Sequence, residues 1–365
     1  MVAVSTAAEA VLLVGGQGTR LRPLTLTVPK PLLPVGGVPF LVHQVCKVRD
    51  AGVSHVVLAT SYRPEVFVDE LGDGSRLGVQ ITYVEDTVPL GTGGAIRNVA
   101  DALTSPADAP VVVLNGDILS GHDLAGQVRA HVEHDADVTL HLVEVEDARA
   151  FGCVPSDADG RVTAFLEKMP DPVTNWVNAG AYVMRRSVID AIPTGRPVSV
   201  ERETFPGLLS GGAHVRAWQE TAYWRDLGTP VSYVAGSRDV VLGLVPGAVR
   251  AEGQRRDGAL VLPGAHVDDG ASVQGGSVVG EGAHVAQGAV VDGSVLLAGA
   301  RVHAGAQVTA SVVAERAVVA DGCVVDASVV GADAHVAPGN ELRAGARLWP
   351  GVRLDETSLR FSPDV

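Results

Sequence analysis

Residues 9 to about 242 alternate between short apolar runs and amphipathic stretches. Four apolar runs that end in glycine or a polar residue predict buried strands: Ala10–Val14, His55–Ala59, Val79–Val84 and Val111–Leu114. Between them, Pro39–Ala51 and Thr92–Leu103 are predicted helices, the second with apolar residues on one face. Because short buried strands separated by helices form parallel sheets, we predict an α/β fold: a mixed, mostly parallel sheet with helices on both faces. Its ligands should lie beyond the carboxyl ends of the strands.

A six-residue period of aliphatic residues replaces this pattern after residue 258. Seventeen aliphatic residues follow this spacing, with three steps of five: Val261, Val267, Val273, Val279, Val285, Val291, Leu297, Val302, Val308, Val313, Val319, Val325, Val330, Val336, Leu342, Leu348 and Leu354. Neither a helix nor a hairpin series has this period, whereas a β-helix with coils of about 18 residues does. We therefore predict an α/β domain at residues 1–243, a glycine-rich linker at 244–257, and a β-helix with a C-terminal tail at 258–365.

The formal net charge of −14 is spread along the chain. Such a field repels nucleic acid and anionic membranes, so we expect neither as a partner. A polyphosphate substrate must then be held by local cations and backbone N–H groups. No apolar run reaches the ~18 residues of a membrane helix, and the first apolar run lacks the basic flank of a secretory signal. We therefore expect a cytoplasmic protein.

The three cysteines, Cys46, Cys153 and Cys323, are widely spaced and form no CxxC pair. An odd and sparse set argues against both a disulfide framework and a structural zinc site. We expect all three to be buried as small hydrophobic residues.

A glycine-rich loop follows the first predicted strand, with the sequence G-G-Q-G-T-R-L-R-P at Gly15–Pro23. Its glycines allow backbone N–H groups to approach an anion, and Arg20 adds positive charge. By itself such a loop is usually a tight turn, and its spacing matches neither GxGxxG nor GxxxxGK[ST]. Ten residues later, two prolines flank Lys30, and we expect them to hold it in an extended, stiff segment.

Together, Gly15–Pro23 and Pro29–Pro34 resemble the signature of the sugar-1-phosphate nucleotidyltransferases, G-G-x-G-T-R-L-x-P-L-T followed by P-K-P. The resemblance implies a Rossmann-like sheet with a nucleoside triphosphate over the first loop. It implies that Arg20 binds the pyrophosphate leaving group and that Lys30 contacts the α-phosphate. Such a transfer requires these cations, because its transition state spreads negative charge over phosphoryl oxygens.

The resemblance also assigns residues to nucleotide binding. The segment P-L-G-T-G-G at Pro89–Gly94 resembles the family's base-recognition segment, and a helix that begins there would offer free backbone N–H groups. Alone, it reads as a glycine-rich helix start. The residues assigned to the nucleotide are Leu13, Gly15, Gly16, Gln17, Gly18, Thr19, Arg20, Glu85, Pro89, Leu90, Gly91, Thr92, Asn115 and Gly116.

Two aspartates are candidates for a metal site. Asp117 follows a predicted buried strand, and Asp226 lies in Y-W-R-D-L-G-T-P. Alone, each is usually a cap or turn residue, but both stretches look like the family's metal-binding segments. Mg²⁺ at nucleotide sites is held by one or two carboxylates plus phosphate oxygens. The resemblance therefore implies a Mg²⁺ cofactor, and the predicted catalytic residues are Arg20, Lys30, Asp117 and Asp226.

The resemblance places the sugar 1-phosphate near a predicted hairpin at Arg161–Lys168. The implied binding residues are Gly152, Glu167, Lys168, Asn178 and Gly180. By themselves, Glu167 and Lys168 would be an exposed charge pair at a strand end. The family's usual E-K-P reads E-K-M-P here, which leaves the path of this loop open.

The resemblance covers residues 9–365 and is closest to the branch with a left-handed β-helix, the mannose-1-phosphate guanylyltransferases. Val198–Pro206 is similar to that branch's S-[IV]-E-x-E-x-F-P. The implied partners are a nucleoside triphosphate, most simply GTP, and mannose 1-phosphate. Another nucleotide, glucose 1-phosphate or a cyclitol phosphate remains an alternative within the class, because the sequence does not resolve base choice.

Two further alternatives belong to other classes. One is a regulatory paralogue that binds nucleotide-sugar without catalysis. The other is an acyltransferase activity of the β-helix with a histidine base, for which the candidates are His266, His284, His303 and His335. These histidines adjoin the aliphatic positions, so we expect them on the surface. We also expect a homo-oligomer, because repeat faces commonly pack against copies of themselves.

Overall fold

The computed structural model describes residues 7–61, 64–167 and 169–361, with the backbone alone at Glu167. The chain divides into two compact units, and each is discontinuous in sequence. The sheet unit consists of Met1–Gly16 and Leu41–Trp224, and the β-helix unit consists of Gln17–Phe40 and Arg225–Val365. The boundary therefore falls twice within the first 41 residues, once inside the glycine-rich loop.

Nine strands form the main sheet in the described part of the chain. They are β1 (Glu9–Leu13), β2 (His55–Thr60), β3 (Gln80–Glu85), β4 (Pro110–Asn115), β5 (Val138–Glu144), β6 (Gly152–Cys153), β7 (Leu166–Glu167), β8 (Trp176–Arg185) and β9 (Val215–Glu220). The helices of the whole described chain are α1 (Phe40–Asp50), α2 (Pro64–Leu71), α3 (Gly91–Asn98), α4 (Leu124–Glu133), α5 (Arg186–Asp190), α6 (Phe205–Ser210) and α7 (Pro230–Val241). A π-helical turn at Val200–Thr204 precedes α6.

The sheet is mixed, as predicted, with a parallel half. Its strand order is β7-β6-β8-β4-β1-β2-β3, and β5 pairs with β8 and β9. Strands β4, β1, β2 and β3 are parallel, whereas β8 runs antiparallel to β4 and to β5. The chain builds outward from β1 to β3 and then returns to add β4 on the other side of β1. The point between β1 and β4 is therefore a topological switch point, where ligands of open α/β sheets bind.

The predicted elements of this half are confirmed with small shifts. Each of the four predicted strands lies within one residue of its predicted ends, and α1 falls inside the predicted helix. The second predicted helix is shorter, because α3 ends at Asn98 and a 3₁₀ turn at Ala100–Ala102 follows. The hairpin predicted within Arg161–Lys168 is wrong in its bounds: β7 at its end pairs with β6, which precedes the predicted range, so that Glu167 lies opposite Gly152.

The β-helix unit contains three parallel sheets, and each sheet takes one strand from each successive coil. One contains Ala259–Val261, Val278–Val279, Val295–Leu296, Val312–Val313, Val329–Val330 and Arg347–Leu348, preceded by the antiparallel strand Gln254–Arg256. Another contains His266–Val267, His284–Val285, Arg301–Val302, Val318–Val319, His335–Val336 and Arg353–Leu354. The third contains Ser272–Gln274, Val290–Asp292, Gln307–Thr309, Val324–Asp326 and Glu341–Leu342. The predicted β-helix is confirmed.

The predicted aliphatic register is right at every position but one. Leu296, and not Leu297, pairs with Val279 and Val313 and lies in the central core. The five-residue step therefore comes before Leu296. The sequence could not place this step, because two leucines are adjacent there and Leu297 is buried as well.

Buried serines occupy one corner of successive coils: Ser277, Ser294, Ser311 and Ser328. The Oγ of each of the first three accepts a hydrogen bond from the N–H of the next, at 3.0–3.1 Å. Each of these hydroxyls donates its one proton to a carbonyl oxygen of its own coil, that of Gln274, Asp292 or Thr309, at 2.6–2.9 Å, so each hydroxyl satisfies two backbone groups. Serine is small enough to turn the chain here, and its hydroxyl removes the cost of burying those groups.

The N-terminal part of the β-helix unit packs around α7. A capping box between Thr229 and Ser232 begins this helix. The Tyr233 hydroxyl donates to the Pro34 carbonyl oxygen at 2.6 Å, and the Gly36 N–H donates to the Ser237 Oγ at 2.9 Å. Residues 17–40 are therefore held by the helix that precedes the coils. The last residues of the predicted linker form the strand Gln254–Arg256, and the domain boundaries at 243 and 258 stay a prediction.

All three cysteines are free and buried, as expected. Among the described residues, no helix combines the length and the apolar character that a membrane crossing requires. Outside the main sheet, short strands occur at Pro34–Val35, Val38–Pro39, Ile118–Ser120 and Trp224–Asp226.

Glu9, the first residue of β1, is a buried carboxylate that accepts hydrogen bonds from the start of β2 and from the segment before β4. It accepts hydrogen bonds from the N–H groups of Thr104 and Ser105 at 2.9–3.1 Å, and one from His55 at 2.8 Å. Burial raises the pKa of Glu9, but these hydrogen bonds outweigh burial and lower the pKa from 4.5 to about 2. The carboxylate therefore stabilises the fold above pH 4.5 and loses this effect as the pH falls towards 2.

We predict that Glu9→Gln lowers the free energy of unfolding at pH 7 by about 1–3 kcal/mol, because the N–H groups of Thr104 and Ser105 lose a charged acceptor. The difference from the unsubstituted protein should shrink as the pH falls from 4.5 towards 2. Urea unfolding at several pH values measures both effects, with the exposed Glu70→Gln as control. A difference that does not change with pH would contradict the assignment.

Candidate active site

The ends of β1 and β4 meet at the switch point. Their last residues, Leu13 and Asn115, are register partners. Gly116 donates its N–H to the Leu13 carbonyl oxygen at 2.9 Å. A Cβ on Gly116 would collide with that oxygen, so glycine is required for this close approach. The half-buried Asp117 follows directly, and the contact therefore fixes the backbone that carries its carboxylate.

Two side chains of α1 hold the chain around this aspartate. The Nε2 of Gln44 donates to the Asn115 carbonyl oxygen at 2.8 Å. The Nζ of Lys47 donates to the carbonyl oxygens of Ser120 and His122, both at 2.9 Å. Burial lowers the pKa of Lys47 to about 8. Neither residue was predicted to act here, although their spacing of three places them on one helix face.

A buried tyrosine organises the predicted sugar side. The Nδ2 of Asn178 donates to the Tyr182 hydroxyl at 2.9 Å, and its Oδ1 accepts from the Gly180 N–H at 3.1 Å. Gly180 has a φ of +75° at the point where the register of β8 shifts. Burial raises the pKa of Tyr182 far above its ordinary value, so the hydroxyl stays protonated. Because an amide has two N–H bonds and two lone pairs, Asn178 retains one donor and one acceptor site for a ligand.

The other predicted sugar-phosphate residues lie on adjacent strands. Glu167 in β7 pairs with Gly152 in β6, and β6 pairs with β8 beside Asn178. The fold therefore brings the backbones of Gly152, Glu167, Asn178 and Gly180 to one part of the sheet. Lys168 and the side chain of Glu167 lie outside the described structure, and their roles stay predictions.

The predicted base segment opens α3, with Glu85, Pro89 and Gly91 exposed. Val198 lies against the first turn of α3 and accepts hydrogen bonds from two of the N–H groups of that turn. The Val198 carbonyl oxygen accepts from the N–H groups of Gly93 at 2.8 Å and Gly94 at 3.2 Å. The expectation of free helix N–H groups is therefore wrong for these two residues, because a neighbouring segment already satisfies them.

Thr92 fastens this segment to the π-helical turn. Its Oγ1 donates to Oε2 of Glu201 at 2.9 Å and accepts from the Val200 N–H at 3.0 Å. Leu90 contributes its carbonyl oxygen to the Val198 N–H at 2.8 Å. The stretch Val198–Pro206, which resembles the guanylyltransferase motif, thus holds the predicted base segment through hydrogen bonds.

The β-helix unit holds the second half of the glycine-rich loop. Thr19–Leu21 is a 3₁₀ turn fixed by the buried Leu21. The Nη2 of Arg20 lies 3.7 Å from Oδ2 of Asp226, and 66% of the Arg20 side chain is exposed. A Cβ on Gly228 would lie 2.5 Å from the same Nη2. Arg20 and Asp226 are therefore neighbours, and the guanidinium remains accessible to an anion.

Lys30 lies beside the same loop. A Cβ on Gly18 would be 3.1 Å from the Cβ of Lys30. The expectation of an extended segment is correct for Pro29 but wrong for Lys30, which begins the 3₁₀ turn Lys30–Leu32. Pro31 fits the first turn of such a helix, because it has no N–H to satisfy there. The turn holds the backbone of Lys30, and a fixed position of its ammonium group stays a prediction.

Arg347, in the β-helix, holds the backbone of the loop. Its Nη1 donates to the carbonyl oxygens of Arg20 at 2.9 Å and Arg22 at 2.8 Å. No local pattern in the sequence indicates this role, because the contact joins residues more than 320 positions apart.

The predicted site residues fall into two groups. Those in the sheet unit are Leu13, Gly15, Gly16, Glu85, Pro89, Leu90, Gly91, Thr92, Asn115, Gly116, Asp117, Gly152, Glu167, Asn178 and Gly180. Those in the β-helix unit are Gln17, Gly18, Thr19, Arg20, Lys30 and Asp226. Guanidinium and ammonium groups suit phosphates, and carboxylates suit a hard divalent cation.

Comparison with known proteins identifies both parts of the chain. Residues 9–241 match the family described as “Nucleotidyl transferase”, and residues 256–356 match the one described as “GMPPB C-terminal domain”. Among solved structures, HddC from Yersinia pseudotuberculosis is 28% identical, with a TM-score of 0.55, and the match covers 64% of this chain and 99% of HddC.

Two sequence relatives carry the comparison further. A protein of Mycobacterium tuberculosis (strain ATCC 25618 / H37Rv) named mannose-1-phosphate guanylyltransferase is 51% identical over 362 residues, or 98% of each chain. The probable mannose-1-phosphate guanylyltransferase 3 of Oryza sativa subsp. japonica is 39% identical over 232 residues, which cover 63% of this chain and 64% of that protein. Given the mixed sheet, the loop after β1 and these likenesses, the chain belongs to the nucleotidyl transferase family.

Proposed function

We propose that the chain transfers GMP from GTP to mannose 1-phosphate and forms GDP-mannose and pyrophosphate. The observation that carries this proposal is the 51% identity, over 98% of both chains, to a protein named mannose-1-phosphate guanylyltransferase. A likeness of this extent includes the sheet, the loop and the β-helix together. The residues Arg20, Lys30, Asp117 and Asp226 are all present, which favours an enzyme over a regulatory paralogue.

The choice of guanine has a second support. One solved structure of HddC from Yersinia pseudotuberculosis is complexed with GMP-PN, and it is 27% identical to this chain. In this chain, hydrogen bonds with Val198 and Glu201 hold Leu90 and Thr92 of the base segment in place. We infer that the remaining polar groups of this segment read the base.

In the proposed reaction, a phosphate oxygen of mannose 1-phosphate attacks the α-phosphorus of GTP. The new oxygen–phosphorus bond forms as the bond to the β-phosphate oxygen breaks, and pyrophosphate leaves with the electron pair. Lys30 stabilises the charge that develops on the α-phosphate, and Arg20 binds the leaving pyrophosphate. Asn178 and the backbone near Gly180 orient the sugar, which places the attacking oxygen in line.

We infer that Asp117 and Asp226 hold Mg²⁺. The donor set fits this ion, because carboxylate oxygens are hard ligands and both side chains are only half-buried. When bound, Mg²⁺ neutralises and orients the phosphates. The proposal requires the two carboxylates, which belong to different compact units, to act on one triphosphate. Self-association and a cytoplasmic location stay predictions from the sequence.

A matrix of substrates tests the proposed function. We predict that pyrophosphate release is fastest with GTP and mannose 1-phosphate, when GTP, ATP, UTP, CTP and dTTP are each combined with mannose, glucose and cyclitol phosphates. The comparison is of kcat/KM, because this ratio measures discrimination between competing substrates. A higher value for another pair would assign that reaction instead, and no release with any pair would favour the regulatory paralogue.

We predict that Lys30→Ala lowers kcat by about two orders of magnitude or more, because the lost cation acts on charge that develops in the transition state. Single-turnover kinetics should show the loss in the chemical step. The surface substitution Arg76→Ala is the control and should leave turnover unchanged. Nearly normal kcat in the Lys30→Ala enzyme, with an intact fold, would remove Lys30 from the mechanism.

We predict that Asp117→Asn and Asp226→Asn each lower turnover and raise the Mg²⁺ concentration needed for half-maximal rate. An amide oxygen keeps the shape of the ligand but loses its charge, and Mg²⁺ prefers carboxylates. Initial rates across a Mg²⁺ titration measure both effects, with the exposed Asp108→Asn as control. An unchanged Mg²⁺ dependence in either variant would exclude that residue as a ligand.

A further inference from the structure

Two histidines and one aspartate converge on the surface of the first coils of the β-helix. His266 and His284 are register partners in neighbouring parallel strands, and their ring centroids are 5.4 Å apart. The Nε2 of His284 lies 2.8 Å from Oδ1 of Asp268, and the Nε2 of His266 lies 3.1 Å from the same oxygen. Within the described ranges, this is the one trio of such side chains whose ligand atoms all lie within 4.8 Å of one another.

The backbone beneath this trio is held by hydrogen bonds between coils. The N–H groups of His266, Asp268 and His284 donate to carbonyl oxygens of the next coil, each at 2.9 Å. The neighbouring aliphatic residue Val285 is buried in the central core, and the partly buried Val267 packs against that core. The spacing between the histidines is therefore set by strand pairing, and it does not depend on a flexible loop.

The aspartate is oriented by a backbone donor. Its Oδ2 accepts from the Gln287 N–H at 3.2 Å, so Oδ1 is the oxygen directed at the histidines. A backbone donor behind a carboxylate is the kind of support that orients metal ligands in proteins.

We propose that His266, Asp268 and His284 form a binding site for a divalent transition-metal ion of the Zn²⁺ type. Two imidazole nitrogens and one carboxylate oxygen are ligands that Zn²⁺ takes, with water in the remaining position. The ligand atoms of a tetrahedral Zn²⁺ site lie about 3.3 Å apart, given bonds of about 2.0–2.1 Å. The two distances to Oδ1, 2.8 and 3.1 Å, are close to that spacing.

The chemistry of this site differs from that of the proposed active site. Asp117 and Asp226 offer oxygen ligands alone, which favour Mg²⁺, whereas imidazole favours Zn²⁺, Ni²⁺ and Cu²⁺. The imidazoles are also accessible, with 73% of the His266 side chain and 41% of the His284 side chain exposed. An ion could therefore bind without any change of the fold and would cross-link the first two coils.

Another histidine of the repeat lacks this arrangement. His303 lies 3.8 Å from a single carboxylate, Asp321. The next residue in the column after His284 is Arg301, so the column supplies no third imidazole there. His303 is therefore a matched control: it is a surface histidine beside an aspartate, but in the described part of the chain it belongs to no group of three potential ligands.

The test is calorimetric titration of the metal-stripped full chain with ZnCl₂, in buffer with excess Mg²⁺ to occupy oxygen-ligand sites. We expect the unsubstituted protein to bind one Zn²⁺ per chain more than His266→Ala/His284→Ala does. Each single substitution, and Asp268→Asn, should weaken this binding about tenfold or more. His303→Ala should bind like the unsubstituted protein.

Two further readouts separate a metal site from a structural role. Without metal, His266→Ala and His303→Ala should have the same melting temperature as the unsubstituted protein, because 73% and 43% of these side chains are exposed. With Zn²⁺, the melting temperature should rise in the unsubstituted protein and in His303→Ala, and not in the double variant. Co²⁺ in place of Zn²⁺ should give the absorption of a tetrahedral complex. Equal Zn²⁺ binding by the double variant and the unsubstituted protein would overturn the proposal, whatever the catalytic activity.

Discussion

The hydrogen bond between the Gly116 N–H and the Leu13 carbonyl oxygen is the contact on which the sheet side of the site depends. It exists because β1 and β4 are parallel neighbours with Leu13 opposite Asn115, and because residue 116 has no Cβ. The strand order reverses at this place, which opens a crevice at the carboxyl ends of the strands. An aspartate one residue later is then held at the edge of the sheet where ligands of open α/β folds bind.

The β-helix depends on a different constraint, the regular repetition of a short coil. Parallel strands align side chains of the same kind, so valines pack on valines in the core and serines bond to serines at a corner. Repetition also aligns the residues that point outward, as with His266 and His284. On such a surface, side chains of the same kind lie next to each other even though the packing of the core does not depend on them.

Much of this arrangement could be predicted from the sequence, because it is governed by local periodicity. The four parallel strands, α1 and the six-residue repeat are all patterns of apolar residues that repeat along the chain. The glycine-rich loop and Lys30 could be found because their residue types are restricted by phosphate chemistry. The position of Asp117 followed from the rule that ligands bind at strand ends.

The remaining features depend on contacts between distant parts of the chain. That the Val198 carbonyl oxygen occupies two N–H groups of α3 could not be predicted, because Val198 lies more than 100 residues away in the sequence. The 3₁₀ turn at Lys30 is a local conformation that two flanking prolines do not determine uniquely. The step at Leu296 was ambiguous because either of two adjacent leucines could face inward. Contacts such as those of Gln44, Lys47 and Arg347 leave no periodic signal.

The hydrogen bonds from Arg347 to the loop carbonyls have a consequence for how such chains are recognised and shortened. A fragment that stops before the final coils would retain every signature residue of the N-terminal motif. It would nevertheless lose the guanidinium that holds the carbonyl groups of Arg20 and Arg22. A search by motif would score such a fragment as intact, although the loop that carries the motif had lost its anchor.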